Sequence, residues 1–349
     1  MRNPEIYDVT IIGAGPAGLF SAFYSGLREM KTKVIEYQDR LGGKVHVYPE
    51  KMIWDIGALT PVSGEQLIEQ MIEQAKTFDP TIVCKEKVTT IAQDEQGIFI
   101  LHTASGEKHY SRTIILAIGG GILNPQKLEI DGAEKYEVAN LSYTIKSLQR
   151  FKDKTVLISG GGHTAVDWAN ELEPIARKVY LVYRKDALNA HEAQVTQLMN
   201  SSVECHFDTD IKRLIANDSG EYIEQVELSH CQTNQKSHIM IDELVVNHGF
   251  VREKKLLEES DLPIEMANEY FIASSPFSET SVAGLYGAGD VIKYDGKVHL
   301  IAGAFQDAVN AVNKAKQFIE PDALASGMVS SHNDLFKKRN KKLVAQLVN

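Results

Sequence analysis

Two stretches about 150 residues apart, "VTIIGAGPAGLFSAFY" and "VLISGGGHTAVDWANEL", follow one pattern: a β-branched run, a turn with glycines at fixed offsets, then an amphipathic run. A short Val/Ile strand feeding a glycine turn and a helix opens a βαβ unit, so a chain carrying it twice is held to two parallel α/β layers. In the first copy the strand spans residues 7–12 and the helix about 17–27. Gly13 permits the tight turn, Gly15 lets a pyrophosphate approach the backbone, and Gly18 lets helix and strand pack closely. The helix N-terminus then offers unpaired N–H groups to the phosphates. The next strand, "KTKVIEY", ends at Glu36, 18 residues past Gly18, where a carboxylate meets ribose hydroxyls. Nothing in this turn separates FAD from NAD.

The second copy has strand 155–159, then Gly160, Gly161, Gly162, His163, Thr164 and Ala165, with Ala165 in the third glycine's place, a substitution the fingerprint permits. After its next strand, "KVYLVYRKD" puts Arg184 and Lys185 where the first copy has Glu36. An acid accepts a ribose 2′-hydroxyl, whereas basic groups accommodate a 2′-phosphate, so the second site suits NADP(H). Paired units of this kind imply one fixed flavin and one delivered nicotinamide. Two further strands end in glycines, "RTIILAIGGGILNP" and "SVAGLYGAGDVIK", and the second brings Asp290 within reach of a ribityl or ribose hydroxyl. The expected fold is therefore α/β, with two Rossmann-like dinucleotide-binding domains. The NADP(H) domain, about 116–277, is inserted in a discontinuous FAD domain formed by 1–115 and 278–349, the latter ending in a C-terminal extension. Two hairpin-like stretches, one in each domain, are read as structural.

Net charge of −10 argues against a nucleic-acid partner, because the overall field repels polyanions. The dense basic run at 337–342 is read as a solvated tail helix. No apolar run is long enough to span a membrane and no basic-then-apolar leader precedes the first strand, so a soluble, cytoplasmic protein is expected. Cys84, Cys205 and Cys231 are too few and too far apart for a disulfide framework or a zinc site, and no metal is expected.

These motifs resemble the two-dinucleotide flavoprotein superfamily, and the resemblance runs through almost the whole chain. Its glutathione-reductase-like branch has a cysteine pair just after the first acid, and thioredoxin reductases have one just before the second turn. "DRLGGKVHVYP" and "NLSYTIKSLQRFKDKTVLISGGG" hold none. The chain thus resembles the thioredoxin-reductase-like ferredoxin (flavodoxin)–NADP+ oxidoreductases, which lack those cysteines and add a C-terminal extension. That resemblance implies Tyr48 stacked on one flavin face, with Glu36, Gly43, Lys44, Val88, Leu123 and Asp290 lining FAD. It places Val329 where a ring covers the other face, followed by Ser330 and Ser331, with His332 further on. The chain departs from the family pattern at His163 for Asp, Lys44 for Gln, Tyr183 for His and Asn189 for Arg.

The implied activity is hydride transfer from NADPH to FAD, then single electrons to ferredoxin or flavodoxin, in a homodimer with no side-chain nucleophile or base. The other readings are a flavin NADPH oxidase, a thioredoxin-reductase-like enzyme with an external disulfide partner, and a non-catalytic NADP redox sensor.

Overall fold

The computed structural model describes residues 4–121, 124–251 and 255–348. The chain forms two compact units, one of residues 1–46, 51–122 and 252–349, the other of 47–50 and 123–251. In the first, strand Ile6–Ile12 pairs in parallel with Thr32–Ile35 on one side and with Lys108–Leu116 on the other. The two halves of Lys108–Leu116 then differ. Its first half pairs antiparallel with Phe99–Thr103, and its last three residues pair in parallel with Leu285–Gly287. Thr81–Val83 and Val88–Gln93 complete a seven-stranded sheet.

Both faces of that sheet are covered, as a near-continuous apolar central strand requires. Val9, Ile11 and Ile115 point to the side packed by helices Pro16–Leu27, Gly64–Ala75 and Ile301–Ile319. Ile12, Ile114 and Leu116 point to the other side, where Ile272, Leu285 and Ile292 pack. Leu256, Leu257, Leu262 and Ile264 lie on that same side, and Ile272–Ala273 pairs in parallel with Ile292–Lys293. Residues 255–277 therefore belong to the first unit, not to the inserted one as the sequence reading had them. Their anchors are apolar contacts and a strand pairing with residues further along the chain, which no local pattern announces.

The second unit is a five-stranded parallel sheet in the order Leu141–Ser142, Glu243–Val246, Thr155–Ser159, Lys178–Val182, Glu204–His206. Val156 and Ile158 face helix His163–Leu172, packed with Ala165, Trp168 and Leu172. Leu157 faces the opposite way, onto an antiparallel sheet of Thr209–Ala216, Ile223–His230 and Lys236–Met240. The segment Val47–Glu50 belongs to this unit: Glu50 accepts the N–H of Leu148 at 2.6 Å and Tyr48 packs on the core around Phe151.

One buried pair in the first unit makes it acid-sensitive. Lys33 Nζ donates to Nδ1 of His109 at 3.1 Å and lies 4.2 Å from the Tyr7 ring centroid. His109 Nε2 is buried without a partner. Burial, then the Lys33 charge, holds the imidazole below its ordinary value, and burial also lowers Lys33. A histidine depressed in the folded state binds fewer protons than in the unfolded chain. Its contribution is therefore complete above about pH 6.5 and is lost as pH falls toward the folded value. His109→Gln keeps an acceptor for Lys33 but cannot titrate. Its thermal midpoint should fall several degrees less than wild type between neutral and mildly acid pH, read by calorimetry.

Candidate functional site

The first turn is built from backbone that excludes side chains. Gly13 has φ +97°, and a Cβ there would stand 2.5 Å from the carbonyl oxygen of Ala117. A Cβ on Gly18 would collide with the Gly13 carbonyl oxygen. Gly15 caps helix Pro16–Leu27 from an extended conformation with Pro16 at its first position, where a missing N–H costs nothing. Across from it, Gly43 has φ +60° and a Cβ there would come 2.7 Å from Gly15 Cα, so two bare stretches of backbone face each other. The Gly42 N–H donates to the Ala14 carbonyl at 2.8 Å, and His46 Nε2 lies 2.6 Å from the Leu41 carbonyl, closing this loop. Lys44 is exposed in the short 3-10 turn Gly43–Val47.

Glu36 follows strand Thr32–Ile35 and is only 7% exposed. Its Oε2 accepts the Ala14 N–H at 2.7 Å and its Oε1 the Gln38 N–H at 2.8 Å. The carboxylate thus braces the glycine turn, and each oxygen keeps a lone pair for a further donor. Val88 is buried at the start of its strand. Ala288 N–H donates to the Leu116 carbonyl at 2.9 Å, so the Gly287–Asp290 element sits at the same sheet end as Gly13. Asp290 is exposed, with His299 Nδ1 at 3.5 Å. Leu123 lies outside the described residues.

The C-terminal extension is fastened to the first unit on both sides of the segment holding Val329. Arg28 donates to the Leu324 carbonyl at 2.7 Å and to Asn313 Oδ1 at 2.8 Å, and the Gly327 N–H donates to the Tyr24 hydroxyl at 3.1 Å. Beyond it, the Phe336 ring lies 5.5 Å from Phe78. Between these anchors Met328 and Val329 are about three-fifths exposed, at 60% and 61%, and Ser330, Ser331 and His332 form an exposed 3-10 turn.

In the second unit, Gly160 has φ +147°, and a Cβ there would sit 2.5 Å from the Asn247 carbonyl oxygen and 3.1 Å from Ala165 Cβ. Gly161 is pressed against the Tyr183 ring. Gly162, the cap of helix His163–Leu172, has nothing within 4 Å of its missing Cβ, so its backbone is open to a ligand. His163 and Thr164 are exposed in the first turn of that helix. The Asn189 N–H donates to the Gly161 carbonyl at 2.8 Å and draws in His191, the cap of helix Glu192–Met199. The His163 and His191 rings meet at 4.5 Å between centroids. Two helix N-termini therefore open side by side beside the exposed Arg184 and Lys185, a setting for anionic groups. Below the turn, Ser159 Oγ lies 2.8 Å from His248 Nε2. Burial, then the Arg184 charge, holds His248 below its ordinary value, hence neutral at pH 7.

His191 is one of the family-motif positions the sequence keeps, with Arg184, Lys185 and Glu192, whereas His46, His248 and the Asp307 network carry no sequence signal of a site. His248 and the Asp307 network depend on contacts between distant segments.

Comparison with known families assigns residues 7–315 to the pyridine nucleotide-disulphide oxidoreductase model. The chain belongs to that family. It is 64% identical over 348 residues, covering 100% of both chains, to ferredoxin–NADP reductase 1 of Bacillus mycoides strain KBAB4. It is 61% identical over 347 residues, 99% of both chains, to the Bacillus licheniformis protein of the same name. Among solved structures, thioredoxin reductase of Lactococcus lactis in its FR conformation matches with TM-score 0.74 and 25% identity, over 90% of this chain and 99% of that one. The thioredoxin reductase of T. acidophilum matches in fold with TM-score 0.75 and 21% identity, over 89% of this chain and 98% of that one. The two glycine turns are thus those of a two-domain oxidoreductase of this family. All three cysteines are free thiols. Burial pushes Cys84 and Cys205 up, which disfavours the reactive thiolate.

Among the described residues, no helix is long and apolar enough to cross a membrane.

Proposed function

We propose that this chain is an FAD-dependent NADPH oxidoreductase that passes electrons to ferredoxin or flavodoxin. The observation carrying the reading is the combination of two glycine cradles with three unpaired cysteines: the fold of a dithiol reductase without its dithiol. The full-length similarity to ferredoxin–NADP reductases supports it.

The residues present fit both cofactors. The facing backbones of Gly13–Gly15 and Gly43 leave a cradle that a Cβ would fill, suited to the FAD pyrophosphate, with Glu36 for the ribose and Asp290 for a ribityl hydroxyl. Bound FAD supplies the chemistry, taking a hydride from NADPH and releasing electrons singly. Gly160, the open Gly162 backbone and the helix start at His163, Thr164 and Ala165 receive the NADPH pyrophosphate, and Arg184 and Lys185 its 2′-phosphate. Lys44, Val88 and Leu123 line the flavin, Val329 takes one of its faces, and Ser330 and Ser331 its edge. The chain's own task is to bind, orient and exclude water. We place the protein in the cytoplasm as a homodimer.

Purified protein should show a flavin visible spectrum that NADPH bleaches and oxidised ferredoxin restores. A colourless protein overturns the reading, and reoxidation by oxygen or a disulfide faster than by ferredoxin or flavodoxin redirects it to an oxidase or an external-disulfide reductase. Val329→Tyr adds a ring where an aliphatic side chain now lies largely exposed. It should change the pre-steady-state rate of flavin reduction by roughly tenfold; an unchanged rate removes Val329 from the flavin face.

A further inference from the structure

Helix Ile301–Ile319 carries an acidic side chain into the interior of the first unit. Asp307 is 0% exposed, and three donors surround its carboxylate. Oδ2 accepts Lys297 Nζ at 2.9 Å and the Gly289 N–H at 3.0 Å, while Oδ1 accepts the Tyr294 hydroxyl at 2.7 Å. The Lys297 side chain is only 2% exposed, and its ammonium also donates to the Val298 carbonyl at 2.9 Å. Ser278 Oγ donates to the Asp307 carbonyl at 3.0 Å. Burial and the hydrogen bond to Asp307 push the Tyr294 phenol far above its ordinary value, so it stays a donor.

Taking two charges out of water is costly, and apolar side chains of equal volume often stabilise a core as well. What the pair holds in place supplies its use. Gly289 opens the turn 289–291 after strand Leu285–Gly287, with φ +79° and no room for a side chain beyond the Ala17 methyl, 3.0 Å from where a Cβ would stand. That turn carries the exposed Asp290 one residue beyond the point where Gly289 packs beside Ala17 of helix Pro16–Leu27. Tyr294 and Lys297 lie in the loop entering helix Ile301–Ile319, whose Gly303 is pressed on the Val298 carbonyl. One carboxylate therefore ties the helix, the loop before it and the Asp290 turn together.

We propose that Asp307, Lys297 and Tyr294 are positioning residues for the flavin, fixing the turn that carries Asp290. This rests on the reading that the first unit holds FAD with Asp290 at one of its hydroxyls. An intact pair presents opposite charges that largely cancel at the flavin. Removing one partner leaves a buried charge of a single sign, which shifts the flavin potential in a direction set by that sign.

The test uses full-length Asp307→Asn, Lys297→Met, the double variant, and Tyr294→Phe. FAD dissociation constant, flavin midpoint potential and the thermal midpoint of the apoprotein are measured for each. Asp307→Asn should raise the potential and Lys297→Met lower it, with the double variant returning toward wild type. Each single variant should weaken FAD by about tenfold. Shifts of the same sign in both charge variants overturn the proposal, as does wild-type FAD affinity in variants whose apoprotein is merely less stable. Should the charge variants fail to fold, Tyr294→Phe decides alone: unaltered FAD affinity overturns the inference. Wild-type protein that takes up no FAD sinks the underlying reading, whereas a flavin-loaded wild type with indifferent variants sinks only this inference.

Discussion

Gly18→Ala should yield protein that has lost its flavin on purification, with FAD affinity reduced on the order of 100-fold, equivalent to about 2.7 kcal/mol. The reason is steric and local. The new methyl would overlap the Gly13 carbonyl oxygen, and Gly13 cannot give way easily. Its N–H is bonded to the Ile35 carbonyl at 2.8 Å, and the next N–H, of Ala14, is held by the Glu36 carboxylate. Helix Pro16–Leu27 must therefore lift from the strand, carrying away the N–H groups proposed to receive the pyrophosphate, and overpacking of this kind costs about 1–3 kcal/mol in stability as well. The second turn supplies the control. It already holds alanine at that place, and Ala165 is fully buried without a clash. Ala165→Gly should cost about 1 kcal/mol of helix propensity and leave nucleotide affinity nearly unchanged. Absorbance of the purified variants and a fluorescence titration with FAD separate the two outcomes.

The double substitution Arg184→Ala/Lys185→Ala should raise KM for NADPH on the order of 100-fold with kcat within about threefold, while NADH kinetics barely move. A charge-assisted hydrogen bond to phosphate is worth about 1.5–3 kcal/mol, and solvent exposure of both side chains sets the lower end of that range for each. The 2′-phosphate is remote from the hydride, so the loss is one of uniform binding, which appears in KM alone. Loss of the Arg184 charge should also let the His248 imidazole titrate nearer its ordinary value, visible by NMR. Equal losses for NADPH and NADH would remove these residues from 2′-phosphate recognition.

The α/β class and both glycine turns were legible because each rests on a short-range regularity. Strand period, glycine offset and helix period all fall within about twenty residues, and Gly13 and Gly160 have backbone conformations that favour glycine. The limits were equally physical. Asp307 lies on an amphipathic helix, where a lone acid reads as part of the wet face, and its partners Lys297 and Gly289 gain meaning only once the chain has folded back. The edge of the inserted unit was placed too late in the chain because the pairing of Ile272 with Ile292 is invisible to hydropathy. Tyr48 lies near the first turn in sequence, yet it packs on the second unit's core, the cluster that holds Phe151 and Trp168. The tail's attachment to Arg28 and Tyr24 likewise joins residues some 300 positions apart.

The split partnership of strand Lys108–Leu116 has a consequence for how the protein is made. Its first half finds Phe99–Thr103 at once, but its last residues wait for Leu285–Gly287. On the ribosome, the second unit has every strand of its parallel sheet once residue 246 has emerged and can assemble as a body. The first unit, begun earlier, stays open along one sheet edge through the synthesis of roughly 170 further residues. An unpaired apolar strand end is a site for misassociation during that interval. Helix Ile301–Ile319, made after every strand of the sheet, then covers it, so truncation before it should leave a first unit that aggregates and a second unit that still folds.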